Sequence, residues 1–198
     1  MSRVPALARV SLLFALCTNA LCSVAHAEII DRVLAILPGQ IVTLSDVQVA
    51  LDLGVVDAPA GSDRTAIGLS ALVDRILMLN EVRRVIPPEP SPADVDARVA
   101  RIRERFDSPA SLSRVLVAGG IDEGVLRTYA ADDLRLASYL EERFAAASQP
   151  TEQEIRQAGE ASRQRIAEER RRSLIATWTS ELRRRAEVTV VGKVEGKK

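Results

Sequence analysis

The chain has 198 residues, with 27 basic and 27 acidic side chains and a formal net charge of zero. This balance argues against a nucleic-acid partner, because binding to a polyanion needs a surplus of positive charge. Two cysteines and one histidine are its only thiol and imidazole side chains, which leaves little material for nucleophilic or zinc chemistry.

The first 27 residues are typical of a cleavable secretory signal. Arg3 and Arg9 supply a positive start, an apolar run follows over residues 10–24, and residues 25–27 (Ala-His-Ala) place small side chains where a signal peptidase reads them. The run is shorter than the roughly 20 apolar residues that a membrane-spanning helix needs. We therefore expect cleavage after Ala27 and no stable membrane anchor afterwards, with a retained anchor as the alternative.

Cleavage would remove a whole class of chemistry. Cys17, Cys22 and His26 all precede the cleavage site, so the remaining 171 of the 198 residues contain no cysteine and no histidine. A thiolate nucleophile, a Ser-His pair and a zinc site built on imidazole or thiolate are then excluded. The acidic pairs 132–133 and 141–142 stand beside arginines in helical patterns, and we interpret them as solvated helix faces. We expect no catalytic residues, no metal and no cofactor.

A β-hairpin is the first element predicted after the signal. Branched apolar residues over 29–37 lead into a turn in which Pro38 fixes φ and Gly39 accepts a positive φ, and residues 41–43 return as the second strand. Ser45-Asp46 is the expected cap of the helix that follows.

Helical patterns, each with its own start or stop signal, occupy most of the remaining chain. They cover residues 45–53, 64–86, 91–106, 111–118, 121–147 and 151–186, and a strand is predicted over 187–194. Because a lone hairpin is marginal in water, we expect this last strand to pair with the hairpin. The predicted fold is mainly α, with a small β-sheet formed by the N-terminal hairpin and the C-terminal strand.

Motifs of a known family follow one another along the chain, at residues 30–35, 39–43, 45–47, 72–81, 150–155 and 178–190. Together they resemble the SurA-type periplasmic chaperones. The resemblance implies a single helical chaperone domain over 28–192, made of a hairpin and helices (28–147) and a closing helix and strand (151–192), before a polar tail (193–198). It also implies a periplasmic location and ATP-independent binding of unfolded outer-membrane or other periplasmic polypeptides.

Two departures from the family pattern matter. Pro38-Gly39 stands where the family has Asn-Gly, so a different turn geometry is expected. Relatives also carry a parvulin-type prolyl isomerase domain before the closing helix, where this chain has only residues 156–164, too few for a domain. Isomerase activity is therefore not expected here.

Aromatic side chains are the candidates for client contact, because they supply a large area with few rotatable bonds. The candidates are Phe106, Tyr129, Tyr139, Phe144 and Trp178. The alternative is that these residues anchor the core. Two other functions stay open, namely a non-chaperone interaction module, such as a dimer formed through the charged C-terminal helix, and a divergent prolyl isomerase. The sequence leaves the oligomeric state open.

Overall fold

The structure, a computed structural model, describes residues 31–61 and 63–191. The predicted signal with its cleavage after Ala27 and the predicted polar tail 193–198 lie outside the described residues. The strands are β1 (Val33–Leu37), β2 (Gln40–Thr43) and β3 (Thr189–Val190). The helices are α1 (Leu44–Asp52), α2 (Arg64–Val85), α3 (Pro92–Arg103), α4 (Pro109–Ala118), α5 (Glu123–Ser148), α6 (Glu152–Ala158) and α7 (Arg163–Arg185). The predicted fold class, mainly α with a small antiparallel sheet, is confirmed.

The hairpin closes through a two-residue turn. Leu37 pairs with Gln40, so only Pro38 and Gly39 lie between the strands. Gly39 has φ 77°, whereas the proline ring keeps the φ of Pro38 negative. The turn therefore cannot be of type I′ or II′, both of which need a positive φ at the first central residue.

A β-bulge shapes the first strand. Val33 pairs with Thr43 and Ala35 pairs with Val42, which leaves Leu34 as an extra residue on β1. Leu34 and Ala35 are both fully buried. The bulge thus lets two consecutive residues of one strand enter the core, where strict alternation would expose one of them.

The third strand joins the two ends of the described chain. In the sheet order β2-β1-β3, Val190 lies opposite Ala35, and the Val191 N–H donates to the carbonyl oxygen of Leu34 at 2.8 Å. The expected pairing of the C-terminal strand with the hairpin is therefore confirmed. The regular strand covers Thr189–Val190, shorter than the predicted 187–194, of which 192–194 lie outside the described residues.

Side-chain caps define where several helices begin. Helix α1 starts with a capping box between Thr43 and Asp46, so the predicted cap at Ser45-Asp46 includes one of the two capping residues, but the N-cap itself is Thr43. The Thr43 hydroxyl accepts the Asp46 N–H, and Ser45 falls in the first turn. Ser91 caps α3 and Thr151 caps α6, both as predicted.

The predicted helix over 151–186 is two helices. The Gly159 N–H still donates to the carbonyl oxygen of Ile155 at 2.8 Å, but its φ of 84° turns the backbone out of the helix and ends α6 after seven residues. A short 3-10 turn over Glu160–Ser162 leads into α7. A glycine with a positive φ is a common helix terminator, and here it overrides the helix-favouring residues on both sides.

Helix α1 stands between two parts of the core. One of its faces, with Val47, Ala50 and Leu51, packs with the hairpin, α2 and the aromatic residues of α5 and α7. The opposite face, with Val49 and Leu53, packs with α3, α4 and the start of α5. This short helix consequently holds the hairpin end and the α3–α4 end together.

Ion pairs link the long helices. Asp133 of α5 lies 2.9 Å from Arg75 Nη1 of α2 and 2.6 Å from Arg98 Nε of α3. Its neighbour Asp132 is only 6% exposed and pairs with Arg83 of α2 at 2.9 Å. The interpretation of this acidic pair as a solvated face is therefore wrong, because α2 and α3 cover that side of α5.

Candidate functional site

Two of the five candidate aromatic residues lie in the core. Phe144 and Trp178 are buried, and their ring centroids are 5.9 Å apart with planes at 62°. Half-buried Tyr139 lies 5.8 Å from the indole ring of Trp178. These contacts join α5 to α7, and edge-to-face and tilted ring pairs of this kind add to the stabilisation from burial.

An arginine covers this aromatic cluster on its outer side. The Arg143 guanidinium carbon lies 5.3 Å from the ring centroid of Trp178, 5.5 Å from that of Phe144 and 5.8 Å from that of Tyr139. Its Nη1 also donates to the Tyr139 hydroxyl at 3.1 Å. Cation–π contact and the hydrogen bond together place a positive charge at the edge of the cluster.

The other two candidates lie elsewhere in the fold. Phe106 lines a groove between α1 and α4. Tyr129 lines a cavity of about 130 Å³ between the hairpin, α1, α2 and α5, and burial raises the pKa of its phenol. The five aromatic residues consequently do not form one surface, and only Tyr139 borders the apolar groove described next.

This apolar groove opens where α2 ends. It has a volume of about 420 Å³ and is called the Ile86 groove below; it is lined by Val85, Ile86, Pro87, Pro88, Tyr139, Glu142 and Arg143. Ile86 is 85% exposed, the largest value for a bulky apolar residue in the described part of the chain. The groove therefore offers apolar surface that the fold itself does not use.

Proline chemistry explains the position of Ile86. Residue 87 is proline, which disfavours helical geometry at the residue before it, so α2 ends at Val85. Ile86 adopts the left-handed conformation with φ 48°. For a β-branched side chain this conformation is strained, and such strain is concentrated at functional positions of proteins.

Charged residues hold the segment after α2 in place. Glu89, just beyond the groove, forms an ion pair with Arg135 of α5, and Arg135 also pairs with Asp132 at 3.0 Å. Arg83, in the last turn of α2, pairs with the same Asp132. The two prolines that line the groove thus lie between the ion-paired residues Arg83 and Glu89. They are also rigid, because the proline ring restricts φ.

Residues 85–88 were not among the sequence candidates. The sequence contains a signal for them, because Val85 and Ile86 continue an apolar helix to a point where Pro87-Pro88 must end it. The helical pattern alone assigned Ile86 to the helix, and an apolar residue at the end of an amphipathic helix is normally covered.

A scan against protein-family models and a search of curated protein sequences find no match to this chain. The resemblance to SurA-type chaperones therefore stays a prediction that rests on the sequence motifs. No helix among the described residues is long and apolar enough to cross a membrane. Within the same residues, no group of three or more acidic side chains is arranged to hold a metal ion.

Proposed function

We propose that this protein is a periplasmic, ATP-independent chaperone-like protein that binds unfolded or extended polypeptides, with outer-membrane proteins as its clients. The observation that carries the proposal is the Ile86 groove, which is lined by an exposed, strained isoleucine. The export signal and the family motifs of the sequence supply the location and the class of client.

The groove has the physical properties that such binding needs. Its volume of about 420 Å³ falls in the range of small ligand pockets, large enough for side chains of an extended segment. Pro87, Pro88 and the Tyr139 ring have few rotatable bonds, so little conformational entropy is lost on contact. Glu142 and Arg143 border the apolar surface with polar groups that tolerate many client sequences.

Weak, apolar contact also explains how a client could leave without ATP. A groove that buries only a few side chains gives modest affinity, which folding or membrane insertion of the client can overcome. Unfolded outer-membrane proteins expose alternating apolar residues that match such a site.

The test is suppression of aggregation of a denatured outer-membrane barrel protein. We expect the mature protein at several-fold molar excess to reduce light scattering, and the variant Ile86→Asn to lose most of this effect. Asparagine tolerates the left-handed conformation, so this variant removes the apolar side chain while the backbone stays as it is.

Val117→Asn is the matched control, because Val117 is 80% exposed on α4 and lies outside the groove. We expect it to suppress aggregation as the unaltered protein does. Equal loss in both variants would reject the groove as the client site. No suppression by the unaltered protein would reject the holdase function and favour a non-chaperone interaction module.

A further inference from the structure

A second concave surface lies between α1 and α4. It has a volume of about 560 Å³ and shares no lining residue with the Ile86 groove. Four residues of α1 at spacing i, i+3, i+4 and i+7, beginning at Ser45, face four residues of α4 with the same spacing, beginning at Ser111. Such spacing places each set on one side of its helix, so two helix faces form the walls of this α1/α4 groove.

The groove carries an excess of positive charge. Arg64, Arg105 and Arg114 line it, and Asp52 is the only carboxylate among the lining residues. Arg64 lies 4.0 Å from Asp52. In the described part of the chain, neither Arg105 nor Arg114 has a carboxylate within ion-pairing distance. The chain as a whole has no net charge, so this local surplus is a property of the groove.

Packing places the Arg105 guanidinium. A Cβ atom at Gly54 would lie 1.7 Å from Arg105 Nη1 and 2.0 Å from its Cζ, so the guanidinium lies directly against the backbone of Gly54. Gly54 also has φ 67°, which favours glycine. The Arg105 guanidinium therefore lies at the groove beside the end of α1, where its charge is open to an anion.

The remaining lining is partly polar, with Ser45, Gln48 and Ser111, and partly apolar. Val49, Phe106 and Val115 form part of the wall next to the arginines. An inorganic anion would pair with the arginines but leave the apolar part of the wall exposed to water. A carboxylate attached to an apolar group would pair with the arginines and also cover the apolar part. Guanidinium groups suit carboxylates because they can donate two parallel hydrogen bonds.

We propose that the α1/α4 groove binds a polypeptide carboxylate next to an apolar side chain. The carboxylate is either the C-terminus of a chain that ends in an apolar residue or an acidic side chain beside one. The choice of a polypeptide rests on the proposed function, whereas the requirement for an anion rests on the surplus of positive charge in the groove.

The test is fluorescence anisotropy with three labelled probe peptides that share an Ala-Ala-Leu ending. The first has a free C-terminus, the second is amidated, and the third is amidated with glutamate before the leucine. We expect the first or the third to bind at least about tenfold more tightly than the second, and added salt to weaken that binding. The first probe reports a C-terminal carboxylate and the third an acidic side chain.

Charge-matched variants locate the binding. Arg105→Gln with Arg114→Gln should weaken the carboxylate probe about tenfold or more. Arg172→Gln with Arg184→Gln makes the same charge change on exposed positions of α7 and should stay within about twofold. Because Arg105 packs on Gly54, the single variant Arg114→Gln tests the site if the double variant does not fold.

Equal binding of all three probes, or equal loss in both double variants, would overturn the proposal. The outcome is separate from that of the aggregation assay. A protein that suppresses aggregation but does not distinguish the peptides refutes only the carboxylate site. A protein that distinguishes them but does not suppress aggregation refutes only the holdase.

Discussion

Ile86 combines two features that stability alone does not favour, a left-handed backbone and an exposed apolar side chain. We predict that Ile86→Asn raises the free energy of unfolding by about 0.5–1 kcal/mol, because asparagine tolerates this conformation and little apolar burial is lost. Urea unfolding of the variant and the unaltered protein measures the difference. Together with the loss in the aggregation assay, this would show that stability and binding oppose each other at one residue.

The neighbouring residue supplies the control. Val85 has helical geometry as the last residue of α2, so Val85→Asn relieves no strain and should lower the stability. If Ile86→Asn lowers stability as much as Val85→Asn does, the strain at Ile86 is not significant.

Two glycines set how closely α1 approaches its neighbouring helices. A Cβ at Gly119, after α4, would lie 2.2 Å from Val49 Cγ2, and one at Gly68, inside α2, would lie 2.7 Å from Leu51 Cδ1. Valine on a helix has essentially one χ1 rotamer, whereas the end of a leucine side chain can move. The same substitution should therefore have different effects at the two positions.

We predict that Gly119→Ala lowers the free energy of unfolding by about 1–3 kcal/mol through overpacking. Gly68→Ala should stay near neutral, since the gain in helix propensity of about 1 kcal/mol offsets the displacement of Leu51. Urea unfolding of both variants checks this, and a Gly119→Ala protein as stable as Gly68→Ala would contradict the close contact at Val49.

For the whole molecule, the small sheet fastens the end of α7 to the beginning of the described chain. The Val191 N–H donates to Leu34, and alternation along an antiparallel ladder turns the Val190 N–H away from β1. We predict that Val191→Pro lowers the free energy of unfolding by about 1–3 kcal/mol, because the carbonyl of buried Leu34 loses its donor. Val190→Pro should cost clearly less, since its N–H is not used within this sheet.

Hydrogen exchange extends this prediction to α7. That helix buries Trp178 and Leu182, and its Arg183 forms an ion pair with Asp74 of α2 and donates to the Ser70 hydroxyl at 2.8 Å. If the sheet and α7 form one cooperative unit, Val191→Pro should speed exchange in the last turns of α7 and leave α3 unchanged. Unchanged exchange throughout α7 would show that the helix docks independently of the strand.

Much of the fold follows from local chemistry, and this is why the sequence predicts it. Ser91 with Pro92, and Thr151 with Glu154, mark helix starts whose capping partners lie within three residues. The break at Gly159 was also local, yet the helix-favouring residues around it concealed it. The pairing of β3 with β1 is the one long-range contact that the sequence predicted, because an unpaired hairpin and a lone strand need a partner.

The candidate site was predicted less well, since it depends on which surfaces stay uncovered. Phe144 and Trp178 are buried because α7 folds back onto α5, and no pattern within either helix reports that. Tyr139 is the one predicted aromatic residue that borders the Ile86 groove. Arg105 and Arg114 of the α1/α4 groove are close in the chain, but Arg64 lies about 40 residues before them, so the meeting of all three cannot be read from spacing.

The amino-acid sequence by itself determined the helix boundaries set by caps and prolines, the hairpin turn and the lack of cysteine and histidine beyond residue 26. Only the tertiary structure decided which apolar residues stay exposed and which charges meet. Val82 lies in the last turn of α2 and Ile86 directly follows that helix, but packing buries Val82 fully and leaves Ile86 in water. Caps and turns arise from residues that are neighbours in the chain, so the sequence predicts them. Burial and ion pairing arise from contacts between residues far apart in the chain, so only the tertiary structure decides them.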